Sequence, residues 1–194
     1  MDPVTFSQHR EYLRSLPEDK LRRLLVEFFI VSRGVRAAVV HGTGEHGVDV
    51  LAYVDPTKDF LHKGYNVLIQ AKRGNVTLSR WRNEVLGPLY EATYYPVSHH
   101  YYAENHARRV WLVLTGSLTP EASNSIRVFN ACHDVTIEVL ELDELIQLFD
   151  EFGFVDAILV RIGEMGSEME SGERALAPPV MGEDSAQGFT GGET

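Results

Sequence analysis

Three polar residues interrupt two otherwise apolar stretches of the chain. Asp49 lies within the run 48–54, and Gln70 and Lys72 lie near the end of the run 65–72. Side chains alternate between the two faces of a strand, so Gln70 and Lys72 share one face. If the two runs pair as antiparallel strands, Asp49 can lie beside them. An unpaired buried charge is costly, so we expect Asp49 and Lys72 to meet counter-charges or a metal ion there.

An aspartate, an amide oxygen and a lysine at strand ends are groups suited to phosphodiester hydrolysis. Asp49 would bind a divalent cation, Gln70 would add a side-chain oxygen, and the carbonyl of Ala71 would complete the protein ligands. Such hard oxygen ligands favour Mg²⁺ or Mn²⁺ over zinc. The cation would lower the pKa of a water molecule, and Lys72 would orient or help to deprotonate that water and stabilise the developing negative charge.

An alternation of helices and strands is predicted to position these residues. Apolar residues spaced three and four apart predict a helix that opens at Pro17-Glu18 and ends near Gly34. The further predicted elements are strands at 35–40, 48–54, 65–72, 109–115 and 135–140, a helix capped by Ser79 that runs toward Tyr90 and is divided at Gly87-Pro88, a helix from Thr119-Pro120 to about 131, and a helix at 142–149. This order predicts an α/β fold with a mixed central sheet flanked by helices.

The turn from Gly42 to Gly47 has the spacing Gly-x-Gly-x-x-Gly. A dinucleotide site needs a helix to begin at such a turn, whereas the β-branched run after Gly47 predicts a strand. A protein kinase also places a glycine-rich hairpin before a strand with a lysine, but its HRD and DFG motifs are absent from this sequence. The sequence therefore lacks the other features that a dinucleotide site or a protein kinase requires.

Taken together, these motifs resemble the PD-(D/E)XK nucleases of the restriction-endonuclease-like superfamily, and within them the Mrr-like, type IV restriction group. The resemblance rests on GTGEHGVDV through Asp49, on VLIQAKR through Gln70 and Lys72, on the run 110–126, and on a helix acid matched by Glu27; it covers roughly residues 21–148. It implies a restriction-endonuclease-like domain and a metal-dependent DNA endonuclease with Asp49, Gln70 and Lys72 as the catalytic set.

The resemblance also implies a role for Glu27. The sequence departs from the family motif at two positions. Glu27 matches an acid that supports a second metal or holds the site together. Val48 stands where the family motif has a proline, and Gln70 stands where it has an acid, as in the Mrr-like group. The implied biological setting is defence against foreign DNA.

Basic residues near the site predict contacts with nucleic acid. Arg73, Arg80 and Arg82 surround Trp81 in the sequence, and His46 lies at the tip of the hairpin. No residues remain for a separate DNA-recognition domain, so we expect a partner subunit that supplies recognition. A homodimer is also expected, because cutting both strands of a duplex requires two sites.

Composition and net charge limit the kinds of protein that this chain can be. The 194 residues carry a formal net charge of −10, so the chain cannot coat nucleic acid by bulk electrostatics. Residues 164–194 hold seven acids and one base and are rich in Gly, Ser and Pro, which predicts a disordered tail after a domain at 1–163. One cysteine, Cys132, excludes an internal disulfide, and no run is apolar enough to span a membrane, so a cytoplasmic protein is expected.

The residues leave alternatives open. A non-catalytic interaction subunit that kept the nuclease fold would use its acidic surface to bind a protein partner. Cleavage of RNA would use the same site as cleavage of DNA. The segment 94–106, dense in Tyr and His, is expected to be an ordered loop packed by its own tyrosines, against the alternatives of base stacking or metal binding.

Overall fold

The structure is a computed structural model that describes residues 1–33, 35–40, 46–55, 64–104, 106–155, 158 and 160. Met1–Leu159 forms one compact unit, and Val160–Thr194 forms a second of which Val160 alone is described. The helices are α1 (Pro3–Ser15), α2 (Glu18–Arg33), α3 (Leu78–Arg80), α4 (Leu86–Tyr94), α5 (Pro120–Cys132) and α6 (Leu142–Glu151); the strands are β1 (Arg36–Val39), β2 (Val50–Val54), β3 (Tyr65–Lys72), β4 (Ala107–Leu114) and β5 (Ile137–Leu140). The predicted boundary between residues 163 and 164 lies outside the described part of the chain.

The five described strands form one mixed sheet in the order β1-β2-β3-β4-β5. The pairs β1–β2 and β2–β3 are antiparallel, whereas β3–β4 and β4–β5 are parallel. The parallel pairs are joined through helices, as parallel connections require. β3 and β4 lie in the middle of the sheet, and this explains the nearly continuous apolar character of both. The predicted α/β architecture is therefore confirmed.

Helices cover both faces of the sheet. One face packs against an apolar cluster that includes Leu68 and Leu112 from the strands, Trp81 and Leu89 from the helical segment after β3, and Ile126 from α5. The opposite face is covered by α2, where Phe29 contacts Trp111 of β4 at a ring-centroid distance of 5.7 Å. Because Trp111 is the register partner of Ile69, α2 covers the face opposite to Gln70.

The helical segment after β3 begins and divides near the predicted positions. Its N-cap is Thr77, whose hydroxyl accepts a hydrogen bond from the backbone N–H of Arg80, and not Ser79 as predicted. Both residue types can cap a helix. A π-helical turn, Trp81–Val85, separates α3 from α4. Pro88 has no N–H to donate to the preceding turn, so a divided helix is the expected result.

The first helix, α1, was absent from the predicted element order. Asp2 caps it by accepting hydrogen bonds from the backbone N–H groups of Val4 and Thr5, each at 3.0 Å. Its sequence is mostly polar, and few of its residues, His9 and Leu13 among them, are buried. A helix with so narrow an apolar stripe gives a weak periodic signal. No helix in the described ranges is long and apolar enough to cross a membrane.

Candidate active site

The strand register brings Asp49 and Gln70 together. Val50 pairs with Ile69, and the backbone N–H of Asp49 donates to the carbonyl of Ile69 at 2.8 Å. Asp49 therefore lies one position before β2 begins, beside the end of β3. Asp49 and Val50 both lie opposite Ile69, so the alternation of the strand does not set the direction of the Asp49 side chain. Gln70 and Lys72 share one face of β3, two residues apart. The three predicted catalytic residues thus lie near the ends of two adjacent strands.

The Asp49 carboxylate is held by one donor on each oxygen. Oδ2 accepts a hydrogen bond from the backbone N–H of Ala71 at 2.8 Å, and Oδ1 lies 2.8 Å from Nη2 of Arg22. The first contact takes the place of a backbone hydrogen bond between the strands, just before β2 begins. Burial raises the pKa of Asp49, and the hydrogen bond from Ala71 and the charges of Arg22 and Lys72 offset only part of that rise. The carboxylate is therefore well oriented but incompletely compensated.

The side chain of Gln70 has an unsatisfied acceptor. Gln70 is 3% exposed, and its Oε1 is buried without a hydrogen-bond donor among the described residues. Leaving a buried acceptor unpaired costs about 1–3 kcal/mol. Such orphaned groups in folded proteins are rare and call for an explanation, which a bound ion can supply.

These oxygens fit a hard divalent cation. The Asp49 carboxylate supplies negative charge, Gln70 supplies an amide oxygen without another partner, and the residue between Gln70 and Lys72 supplies a backbone carbonyl. No group of three or more His, Cys, Asp or Glu side chains suited to a metal occurs in the described ranges. A cation here therefore depends on the amide and carbonyl oxygens as well as on one carboxylate.

Lys72 is half-buried at the end of β3, beside the carboxylate. Its positive charge is one of the groups that lower the pKa of Asp49. The backbone N–H of Thr115 donates to its carbonyl at 3.2 Å, and the hydroxyl of Thr115 accepts from the N–H of Gly74 at 2.9 Å. These bonds fix the end of β3 against the end of β4, so the position of the Lys72 backbone is set by the sheet.

Two charged residues of α2 reach the site and were not predicted. Glu18, the first residue of α2, accepts from the backbone N–H of Arg73 at 3.1 Å, and its other oxygen lies 3.5 Å from Nη2 of Arg22. Arg22 follows Glu18 by one helical turn, so both project from the same side of the helix. The only sequence signal for them was the predicted helix start at Pro17-Glu18, which did not indicate where that helix end would pack.

The predicted helix acid, Glu27, lies far from this end of α2. It follows Glu18 by nine residues, which places it about 13 Å further along the axis and half a turn around it. Arg22 of α2 contacts Asp49, and Glu18 is the neighbour of Arg22. Glu18 is therefore an α2 acid beside the site, and the role of Glu27 stays a prediction.

The residues predicted to contact nucleic acid fall into two groups. Arg73, which follows Lys72, and Arg82 are exposed. Arg80 is engaged in the fold: its guanidinium donates to the carbonyls of Arg73 and Asn75 at 2.6 and 3.1 Å. Trp81 is 2% exposed and belongs to the apolar cluster, so the prediction that it contacts nucleic acid is wrong. Its indole is a core group despite its arginine neighbours.

The hairpin before Asp49 is anchored on α4. Gly47 has φ of +73°, and a Cβ at this position would lie 2.3 Å from the carbonyl oxygen of Pro88. Only glycine allows this close approach. His46, also at positive φ, stacks on Tyr95 with a ring-centroid distance of 5.0 Å and lies 3.8 Å from Glu91. The hairpin residues 41–45 of the predicted glycine-rich turn lie outside the described residues.

The Tyr- and His-rich loop is held by its own side chains and by β3. The rings of His99 and His100 stack at 4.4 Å, and Tyr101 contacts both. The side chain of Asn66 donates to the carbonyl of Ala103 at 2.9 Å and accepts from its N–H at 3.0 Å. The predicted packed loop is thus confirmed for its described residues.

The fold is of the restriction-endonuclease-like class: the antiparallel half of a mixed sheet leads into a parallel half, helices cover both faces, and Asp49, Gln70 and Lys72 lie near the ends of adjacent strands. The model of the restriction endonuclease family Mrr_cat matches residues 13–149. The chain therefore belongs to this Mrr-like family.

Solved structures of FokI agree on the fold. Restriction endonuclease FokI bound to DNA has a TM-score of 0.50 at 17% identity, over 78% of this chain and 27% of that chain. FokI without DNA has a TM-score of 0.50 at 17% identity, over 80% and 28% of the two chains. MspJI in complex with a 27-mer oligonucleotide covers 82% and 34%, at 17% identity and a TM-score of 0.43. The chain thus spans about a third or less of these neighbours. A comparison with curated proteins finds no match.

Proposed function

We infer that this chain is the catalytic domain of a metal-dependent endonuclease that hydrolyses DNA phosphodiester bonds. The observation that supports this most is the orphaned Oε1 of Gln70, buried on the same strand face as Lys72 and one residue before Ala71, whose N–H bonds to the Asp49 carboxylate. A buried amide oxygen without a donor is unfavourable in a purely structural role. Membership of a restriction endonuclease family supports the same activity.

Asp49, Gln70 and the carbonyl of Ala71 would hold a divalent cation, Mg²⁺ or Mn²⁺. When bound, the cation supplies Lewis-acid chemistry that lowers the pKa of water and neutralises charge on the phosphate. The hydrogen bond from Ala71 to Asp49 keeps the carboxylate oriented before substrate arrives. No donor among the described residues competes for the Oε1 of Gln70.

Lys72 acts on the water and on the phosphate. Lys72 is half-buried at the end of β3, and the three donors of its ammonium would orient a water molecule toward the scissile bond. The same positive charge stabilises the negative charge that develops on the phosphate oxygens. The exposed Arg73 and Arg82 contact the DNA backbone and fix its position without reading sequence.

The chain acts with partners. A second copy or a recognition subunit is needed, because one site cuts one strand. One of the fold neighbours is FokI bound to DNA, which supports DNA as the ligand of this fold. The family supports a role in defence against foreign DNA, in the cytoplasm.

A cleavage assay with matched substrates tests this function. Supercoiled plasmid, linear duplex, single-stranded DNA and RNA are each incubated with purified protein and Mg²⁺ or Mn²⁺, with and without EDTA. Metal-dependent nicking of the plasmid is expected, and it should be lost in Lys72→Ala but kept in Lys20→Ala, which removes an exposed lysine of α2. Equal cleavage by Lys72→Ala would contradict the assigned role, and metal-dependent cleavage of RNA alone would contradict DNA as the substrate.

A further inference from the structure

The guanidinium of Arg22 lies between two carboxylates at the site. Its Nη2 is 2.8 Å from Oδ1 of Asp49 and 3.5 Å from Oε2 of Glu18. The Arg22 side chain is 19% exposed, and its Nε is buried without a hydrogen-bond acceptor among the described residues. The guanidinium is therefore held mainly by its charge pairs and not by a full set of hydrogen bonds.

Arg22 occupies an oxygen that a metal ion at this site would need. Both oxygens of Asp49 already have a donor, Arg22 on Oδ1 and the N–H of Ala71 on Oδ2. The backbone donor is fixed by the sheet, whereas the arginine side chain can rotate. A guanidinium and a divalent cation on one carboxylate also repel each other, and the repulsion is stronger in a partly buried site than in water.

Glu18 offers Arg22 a second position. Its carboxylate is itself anchored by the N–H of Arg73 at 3.1 Å and lies 3.6 Å from the guanidinium of Arg80. Arg22 can therefore leave Asp49 and remain paired, because Glu18 stays in place one helical turn away. Without such an acceptor, displacing a partly buried guanidinium would cost much more.

Building on the metal-dependent function inferred above, we propose that Arg22 is a positioning residue that occupies Asp49 in the metal-free protein and shifts to Glu18 when a divalent cation binds. The Asp49–Arg22 pair then sets the cation affinity of the site. It also keeps the carboxylate compensated while no metal is present.

The test is calorimetric titration of the full chain with Mn²⁺ alone, without DNA. Arg22→Gln should bind Mn²⁺ several-fold more tightly than the parent, because the competing cation is gone. Arg23→Gln is the matched control: it removes an exposed arginine one position away and should leave the affinity unchanged. Asp49→Asn should abolish the binding event in the parent and in Arg22→Gln alike.

A second variant separates this account from a direct metal-ligand role for Glu18. Glu18→Gln should weaken Mn²⁺ binding in the parent, because Arg22 then has only Asp49 to pair with, and it should weaken binding much less in Arg22→Gln. Equal losses in both backgrounds would overturn the proposal. Should Arg22→Gln fail to fold in thermal melts, unchanged or tighter binding by Glu18→Gln alone would also overturn it.

The Mn²⁺ titrations distinguish a failure of the proposed Arg22 role from a failure of the metal-dependent function. Asp49-dependent Mn²⁺ binding in the parent, with equal or weaker binding in Arg22→Gln, overturns the role of Arg22 and leaves the metal site standing. Absence of any Asp49-dependent binding, in the parent and in Arg22→Gln, overturns the metal-dependent function and the role of Arg22 together.

Discussion

Asp49 and Arg22 form an ion pair of 2.8 Å between the start of β2 and the first turn and a half of α2. The pair joins a strand residue to a helix residue 27 positions earlier, so it ties α2 to the end of the sheet. It also means that a protein cation offsets part of the cost of burying the Asp49 carboxylate.

Replacing Gln70 by leucine should abolish cleavage without lowering stability. The leucine removes a buried acceptor that has no donor, so the free energy of unfolding should stay the same or rise, by up to about 1–3 kcal/mol. Thermal melting and plasmid cleavage measure the two effects. Asn66→Leu is the matched control, because Asn66 is a buried amide on the same face of β3 with both of its hydrogen bonds made. That variant should be destabilised. A Gln70→Leu protein as unstable as Asn66→Leu would show that Gln70 has a structural role.

Replacing Gly47 by alanine should lower both stability and cleavage. The new Cβ would lie 2.3 Å from the backbone of Pro88, at a φ of +73°, so we expect a loss of about 1–3 kcal/mol in the free energy of unfolding. Because the hairpin leads into Asp49 two residues later, cleavage should fall as well. Gly74→Ala shares the φ of +73° but has nothing within 4 Å of its added Cβ. Its melting temperature should drop less, and equal drops in the two variants would remove the argument for the Pro88 contact.

The stability of the protein should depend on the charge of Asp49. Burial raises the folded-state pKa of this carboxyl above its value of 3.8 in the unfolded chain, despite Arg22 and Lys72. A raised folded pKa means that the folded state binds the proton more tightly, so Asp49 favours folding at low pH. This contribution is lost as the pH rises from below 3.8 through the folded pKa. Melting temperatures of the parent and Asp49→Asn across this window should therefore diverge in favour of Asp49→Asn. A difference that shrinks as the pH rises would contradict the direction of the shift.

The sheet and the strand residues of the site were predictable because they depend on local patterns. The strand period places Gln70 and Lys72 on one face, and the antiparallel pairing of β2 with β3 brings Asp49 to the end of β3. The apolar runs around these residues predict central strands, as observed.

The helix contribution to the site was not predictable from the same patterns. Glu18 and Arg22 reach Asp49 through the packing angle of α2 on the sheet, which no local spacing encodes. Glu27 matched the order of the family motifs, but it lies on a different side of α2 from Glu18. Trp81 was misassigned for a similar reason: its arginine neighbours suggested a surface, whereas the helix period turns Trp81 alone toward the core.

The most direct test of the central claim is the initial rate of supercoiled plasmid nicking by Asp49→Ala and by the parent, at the same Mg²⁺ concentration. Asp134→Ala, which removes an exposed acid, serves as the control. If Asp49 anchors a catalytic cation, the rate should fall by about 100-fold or more in Asp49→Ala and stay unchanged in Asp134→Ala, with the parent inactive in EDTA. Nicking by folded Asp49→Ala at the parental rate would contradict the assignment of this site as the catalytic centre.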